Sequence, residues 1–152
     1  YLFNAPSIGH ALMNLTKRDI ESQFHIADFM VPIEECPVVH LETLSVKEIL
    51  STIEAGNLGF CLVDDKKGLL QGLVSSADIR KSMLRHLDDL NNISPVDMIN
   101  TNPVTILETN TVYELLQKIK GLSFPVMYLP VISNENKVCG IVNFTNLIKS
   151  EL

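Results

Sequence analysis

The sequence has little positive charge. Its 152 residues include 12 Lys and Arg against 18 Asp and Glu, which gives a formal charge of -6. Nucleic-acid backbones and anionic membrane surfaces are bound mainly through cationic side chains, and this balance provides no surface of that kind. We therefore expect neither nucleic acid nor a membrane as a partner.

Long apolar runs and paired cysteines are also absent from the sequence. No run approaches the ~18 apolar residues that a spanning helix needs, and the first residues do not show the basic and then apolar pattern of an export signal. The cysteines Cys36, Cys61 and Cys139 form no C-x-x-C pair, so neither a disulfide framework nor a zinc site is indicated. These absences predict a cytoplasmic protein.

Catalytic motifs are missing as well. The four histidines are scattered singly, without an H-E-x-x-H sequence or an evident nucleophile partner, so we assign no catalytic and no metal-binding residue. Cys61 and Cys139 lie in apolar, strand-like runs and are expected to be core thiols.

The sequence does contain an internal repeat centred on a helix. Apolar residues recur at helical spacing in two segments that lie 66 positions apart: Val46, Ile49, Leu50 and Ile53, then Val112, Leu115, Leu116 and Ile119. An S/T-x-x-E capping sequence opens each segment, at Ser45 and at Thr111. The pattern predicts that one amphipathic helix occurs twice.

Strands and a second helix complete each copy. The strands are predicted at residues 37–39, 60–63 and 69–74 and again at 103–105, 128–131 and 138–142. The second helix of the first copy has an apolar stripe at Ile79, Met83, Leu84 and Leu87, and Leu147 begins a shorter helix in the second copy. We therefore predict an α+β fold in which two β-α-β-β-α units pack as a pseudo-twofold globule, with clefts where the halves meet.

The repeat also predicts the domain organisation. Residues 1–25 are expected to be an N-terminal helical extension or linker, residues 26–90 the first repeat and residues 91–152 the second. Because the chain begins at Tyr1 without a methionine, we expect it to be part of a longer protein.

The step from the second hairpin strand to the second helix has a motif with two interpretations. Ser75 and Asp78 have the spacing of a capping box, which accounts for both residues structurally. The same step places a helix N-terminus beside a carboxylate, which suits a phosphate together with the hydroxyls of a ribose.

Taken in order, these motifs resemble a tandem pair of cystathionine-beta-synthase (CBS) domains, also called a Bateman module. The resemblance covers residues 26–152 and rests on duplicated short motifs: Asp28-x-Met30 and Asp97-Met98-Ile99, Pro37-Val38-Val39 and Pro103-Val104-Thr105, and Gly72-x-x-Ser75-x-x-Asp78. It implies a regulatory unit that binds adenosine-type nucleotides or related ligands between the repeats and often dimerises. Catalysis is not expected of such a unit.

The resemblance also implies two sets of ligand-binding residues. The intact cleft would use Ser75, Asp78, Asn102, Val104 and Tyr128, with charge from Arg80. The opposite cleft would use Val38, Phe60, Asn143 and Asn146, and it is expected to be weaker because the Asn146 amide replaces a carboxylate. Since basic residues are sparse, the expected ligand is an AMP- or ADP-like nucleotide or a nucleotide sugar, and no cofactor is implied.

Residues 77–84 and 97–103 further resemble the CBS pair at the carboxyl end of arabinose-5-phosphate isomerases, which implies an attached or partner catalytic domain. Residues 5–9 depart from the His-Pro-Gly-Gly element of that junction. Three interpretations follow: a ligand-sensing module that also forms a homodimer, a structural dimerisation or interaction module with vestigial clefts, and an enzyme with an unrecognised site.

Overall fold

The computed structural model describes residues 24–144, and these belong to two compact units. Unit 1 combines the chain up to Glu35 with the chain from Val104 onward, and unit 2 comprises Cys36–Pro103. Of the N-terminal extension predicted at residues 1–25, all but residues 24 and 25 lies outside the described residues, as does the helix predicted to begin at Leu147. Between residues 24 and 144, no helix is long and apolar enough to cross a membrane.

Strands and helices alternate along the described chain, which confirms the α+β class. The strands are β1 (Val31–Pro32), β2 (Val38–His40), β3 (Phe60–Asp64), β4 (Leu70–Ser75), β5 (Ile106–Leu107), β6 (Tyr128–Ile132) and β7 (Val138–Asn143). The α-helices are α1 (Val46–Gly56), α2 (Ser76–Arg85) and α3 (Val112–Lys120). Short 3-10 turns include Leu41–Thr43, Leu87–Asn92 and Pro95–Met98.

Helices α1 and α3 confirm the predicted duplication of a capped amphipathic helix. The Ser45 side chain accepts a hydrogen bond from the Glu48 amide at 3.0 Å, which satisfies one of the amides that begin α1. In α3 the box closes in both directions: the Thr111 hydroxyl accepts from the Glu114 amide at 3.1 Å, and the Glu114 carboxylate accepts from the Thr111 amide at 2.8 Å.

The two predicted hairpins are present and have the same register. In unit 2, β3 and β4 pair antiparallel with Phe60 opposite Ser75, and the register shifts after Val63. In unit 1, β6 and β7 pair antiparallel with Tyr128 opposite Asn143, and the register shifts after Val131. Each of these positions lies 68 residues after its counterpart, so even the bulge is repeated.

The segment that leads into each repeat joins the sheet of the other repeat. Strand β1, from the start of the first repeat, pairs with β7 in unit 1, where the strand order is β1-β7-β6-β5. Asn100, from the start of the second repeat, exchanges two backbone hydrogen bonds with Leu73 of β4 at 2.8 and 3.0 Å. The compact units therefore do not follow the order of the repeats along the chain.

A glycine lies where each leading segment meets its sheet. A Cβ at Gly140 would be 2.2 Å from the Val31 carbonyl oxygen, and a Cβ at Gly72 would be 2.3 Å from Ile99 Cγ2. The leading segments can approach these strands closely because neither position has a side chain.

Each unit has its own hydrophobic core. The buried residues that cluster as the core of unit 1 are Ile26, Ile106, Val112, Leu115, Leu129, Val131, Val142 and Phe144. Those of unit 2 are Val39, Ile49, Cys61, Val63, Val74 and Met98. Cys61 is thus the core thiol that was predicted, and burial raises its pKa to about 12.

Two details of the predicted elements are wrong. The first strand of the second copy lies at Ile106–Leu107, three residues later than predicted, where it pairs parallel with β6. In α2, Ile79 packs against the unit 2 core as expected, but Met83 and Leu84 are 41% and 67% exposed, and Leu87, which is 62% exposed, lies in the turn after α2 has ended. Ser82 is buried in their place.

The end of α2 contacts the turn Pro95–Met98 through polar groups. The Arg85 guanidinium donates to the Asp97 carbonyl oxygen at 3.0 Å, and His86 Nε2 lies 3.2 Å from the Asp97 carboxylate. Ile79 and Ser82 face the unit 2 core, and Met83 and Leu84, which follow Ser82 in sequence, are exposed. The stripe predicted from spacing alone is therefore right at Ile79 and wrong at Met83, Leu84 and Leu87.

Candidate functional site

Ser75 and Asp78 form a closed capping box where β4 ends and α2 begins. One carboxylate oxygen of Asp78, Oδ2, accepts from both the backbone amide and the hydroxyl of Ser75, each at 2.9 Å. The Ser75 hydroxyl oxygen accepts in turn from the Asp78 amide at 3.3 Å. The structural interpretation of this motif is therefore correct.

The same geometry leaves one carboxylate oxygen of Asp78 able to accept a hydrogen bond from a ligand. The hydrogen bonds of the box engage Oδ2 of Asp78, and a carboxylate has a second oxygen that can accept from an external donor. Both side chains are partly exposed, so solvent or a solute reaches them. The nearest amide of α2, that of Ser76, donates to the Gly59 carbonyl oxygen at 3.2 Å. The site therefore offers a carboxylate acceptor to a hydroxyl donor.

Four other predicted residues lie in unit 2. Phe60 is fully buried and is the register partner of Ser75, and Val38 lies on β2 opposite Leu62. Arg80 and Asn102 are exposed. The structure thus brings Ser75, Asp78 and Phe60 together at one end of the β3–β4 hairpin.

The remaining predicted residues belong to unit 1. Tyr128 and Asn143 are register partners at the equivalent end of the β6–β7 hairpin, and both are partly exposed. Val104 packs against the unit 1 core. Asn146 lies outside the described residues.

Sequence reasoning missed three polar pairs because their members are far apart along the chain. His40 Nδ1 lies 2.5 Å from Asp64 Oδ1, and His86 contacts Asp97. In unit 1, the Cys139 thiol donates to the Glu108 carboxylate. Burial is the larger cause, and this contact the smaller one, that raises the pKa of Cys139 to about 12. Strand register would have been the signal for the first pair, since His40 and Asp64 are opposite each other in adjacent strands.

Metal binding has no support in the described part of the chain. Between residues 24 and 144, no three His, Cys, Asp or Glu side chains are grouped closely enough to hold an ion.

Comparison with solved structures shows the same fold in other proteins. A CBS domain-containing protein from Bacillus anthracis has a TM-score of 0.70 at 14% identity over 90% of this chain and 100% of that one. CBSX2 from Arabidopsis thaliana, in a complex with AMP, has a TM-score of 0.66 at 20% identity over 84% and 95% of the two chains. Listeria monocytogenes CbpB, in a complex with c-di-AMP, has a TM-score of 0.63 at 20% identity over 82% and 92%.

No curated protein matches the sequence. The family profile of the CBS domain matches it twice, at residues 26–85 and 96–152, so most of the chain is covered. Both matched segments contain the β-hairpin whose register the structure repeats. The chain therefore belongs to the CBS domain family, as a tandem pair of CBS domains.

Proposed function

We propose that this CBS pair is a regulatory module that senses an adenosine-type nucleotide or a nucleotide sugar. In this proposal the Asp78 carboxylate accepts hydrogen bonds from ribose hydroxyls and Ser75 faces the phosphate. The observation that carries it is the partly exposed Ser75–Asp78 pair at the start of α2, where one carboxylate oxygen is engaged by the helix cap.

The comparisons support the class of ligand. CBSX2 is described in complex with AMP and CbpB in complex with c-di-AMP, and both contain an adenosine-type nucleotide on the same fold. We propose a related ligand for this chain and transmission of its binding to an attached or partner enzyme, such as a sugar-phosphate isomerase.

Charge argues for a ligand with few phosphates. Of the residues predicted to contact ligand, Arg80 alone is cationic, and it is exposed on α2. Asn102, Val104 and Tyr128 complete the proposed set, while Val38, Phe60, Asn143 and Asn146 stay a prediction for a second, weaker site. The position of both sites between the repeats also stays a prediction from the family.

Thermal unfolding with defined nucleotides tests the proposal. AMP, ADP, c-di-AMP and a nucleotide sugar are each added to the protein, and we expect at least one to stabilise it by about 2.7 kcal/mol at a hundredfold excess over the dissociation constant. Asp78→Asn should weaken that stabilisation strongly because a neutral amide oxygen is a poorer acceptor for the hydroxyls.

A matched control separates ligand binding from helix capping. Glu114→Gln alters the same kind of capping box at the start of α3, and we expect it to lower stability modestly while leaving the nucleotide response unchanged. The proposal fails if none of the four nucleotides shifts unfolding, or if Asp78→Asn and Glu114→Gln respond to nucleotide in the same way.

A second candidate function is self-association, which the exposed apolar face of α2 favours. Met83 and Leu84 at the end of α2, and Leu87 and Leu90 in the turn that follows it, are large apolar side chains that are 41%, 67%, 62% and 45% exposed, and we refer to these four residues as the apolar face of α2. Exposed apolar side chains grouped in this way are typical of an interface with another protein surface. We propose a homodimer formed through this face.

Analytical ultracentrifugation tests the dimer. We expect the protein to sediment as a dimer and the variant Leu84→Glu/Leu87→Glu to sediment as a monomer with an unchanged circular dichroism spectrum. Phe124→Glu is the matched control, because Phe124 is a large apolar side chain of unit 1 that is 54% exposed. A wild-type monomer at high micromolar concentration excludes this candidate.

A further inference from the structure

The two units differ at the carboxyl end of their parallel strand pairs. In unit 2, His40 of β2 is opposite Asp64 of β3. At the equivalent register in unit 1, Leu107 of β5 is opposite Ile132 of β6. Since an apolar pair satisfies this position in unit 1, the fold itself does not require an ion pair there.

The His40–Asp64 pair in unit 2 makes a short contact and lies near further acidic side chains. His40 Nδ1 is 2.5 Å from Asp64 Oδ1, and the Asp64 side chain is 14% exposed against 57% for His40. The hydrogen bond to Asp64 is the main cause that raises the pKa of His40 above its ordinary value, and the Glu42 and Glu48 carboxylates add to it. Glu42 follows β2 and also accepts from the Lys66 amide at 3.0 Å, while Glu48 begins α1.

Strand β2 is a short strand at the edge of its sheet. It has three residues, and among the described residues it pairs with β3 and with no other strand. We propose that the His40–Asp64 pair is a pH-sensitive clasp that holds the edge strand β2 against β3 in unit 2. This inference is independent of any nucleotide.

The direction of the pH effect follows from the pKa of His40, which is higher in the folded protein than the ordinary histidine value. Because the pKa of His40 is raised in the folded protein, the stabilisation by the pair is complete below the ordinary histidine pKa and is lost as the pH rises through the raised value. A neutral imidazole can still donate a hydrogen bond to the Asp64 carboxylate, but the coulombic attraction between the imidazolium and the carboxylate is lost. The clasp therefore weakens toward alkaline pH.

Amide hydrogen exchange can measure the clasp locally. The Leu62 amide donates to the Pro37 carbonyl oxygen at 2.9 Å and reports on contact between β3 and the chain entering β2. After correction for intrinsic exchange, we expect opening at Leu62 to increase about two- to fivefold between about pH 5.5 and pH 8.5, the range expected for an exposed pair. The Glu108 amide, which donates to the Ile132 carbonyl oxygen in unit 1, is the reference and should not change.

The variant His40→Leu/Asp64→Ile is the matched control because it introduces the residue pair of unit 1. We expect it to fold, since His40 is exposed, and to lose the pH dependence at Leu62. A second measurement does not depend on a large change in stability. In Asp64→Asn, the pKa of His40 measured by NMR titration should move toward the ordinary histidine value. The proposal is overturned if the double variant keeps the pH dependence, or if His40 titrates unchanged in Asp64→Asn.

Discussion

Gly140 shows at the scale of one residue how the sheet of unit 1 accepts its leading segment. A Cβ at this position would lie 2.2 Å from the Val31 carbonyl oxygen and 3.0 Å from Met30 Sδ. The Met30 side chain can move, but the Val31 carbonyl is part of β1, which is paired to β7 at this point. We therefore expect Gly140→Ala to lower the free energy of unfolding by about 1–3 kcal/mol, as overpacking does.

Urea denaturation of Gly140→Ala and of Gly121→Ala checks this expectation. Gly121 ends α3 in a right-handed conformation, and the nearest atom to its Cβ would be 3.6 Å away, so alanine fits there. We expect that control to be neutral or stabilising by about 0.4–1 kcal/mol, because alanine restricts the unfolded chain. Equal losses in both variants would show that close approach of Val31 is not the cause.

Pairs of residues that are close along the chain could be predicted from the sequence. The Ser75–Asp78 bonds follow from a three-residue spacing at a strand-to-helix step, and the Thr111–Glu114 box follows from the same rule. The His40–Asp64 and Cys139–Glu108 contacts join residues 24 and 31 positions apart, and no local pattern relates them. Such pairs become visible only when strand register is known.

Helix α2 shows at the scale of an element where periodicity stops being informative. Its spacing identified a helix after Ser75, but Ile79, Met83, Leu84 and Leu87 do not share a buried face. Ser82 is buried instead, and Asp97 contacts the end of α2 through Arg85 and His86. A small side chain at a close contact leaves no signal in a hydrophobic pattern. The hairpins have apolar runs and polar turns, and the ends of their strands were predicted to within two residues.

The leading segments show the same limit for strands. Strand β1 has two residues and joins unit 1, and the backbone of Asn100 joins β4 in unit 2. Residue patterns this short identify neither the partner strand nor the sheet. The duplicated motifs therefore predicted the repeats and the fold class, while the exchange of leading segments needed coordinates.

This exchange has a consequence for folding at the scale of the whole molecule. Unit 2 takes Met98, which is 2% exposed in its core, from a segment that belongs to the second repeat by sequence. Ile99 packs against the same core, and Asn100 supplies two backbone hydrogen bonds to Leu73. A fragment cut at the boundary between the sequence repeats would lose all of these contacts.

Two fragments of equal length can show whether the core of unit 2 needs the leading segment of the second repeat. Residues 36–103 contain every residue of the unit 2 core, whereas residues 26–93 omit Met98 through Asn100 and retain a β1 segment without its partner β7. Domains of this size are only marginally stable, so the loss of a core side chain is decisive. Followed by circular dichroism on heating, residues 36–103 should unfold cooperatively and residues 26–93 should not. A cooperative transition of comparable midpoint in residues 26–93 would mean that the first repeat forms its core without the leading segment of the second.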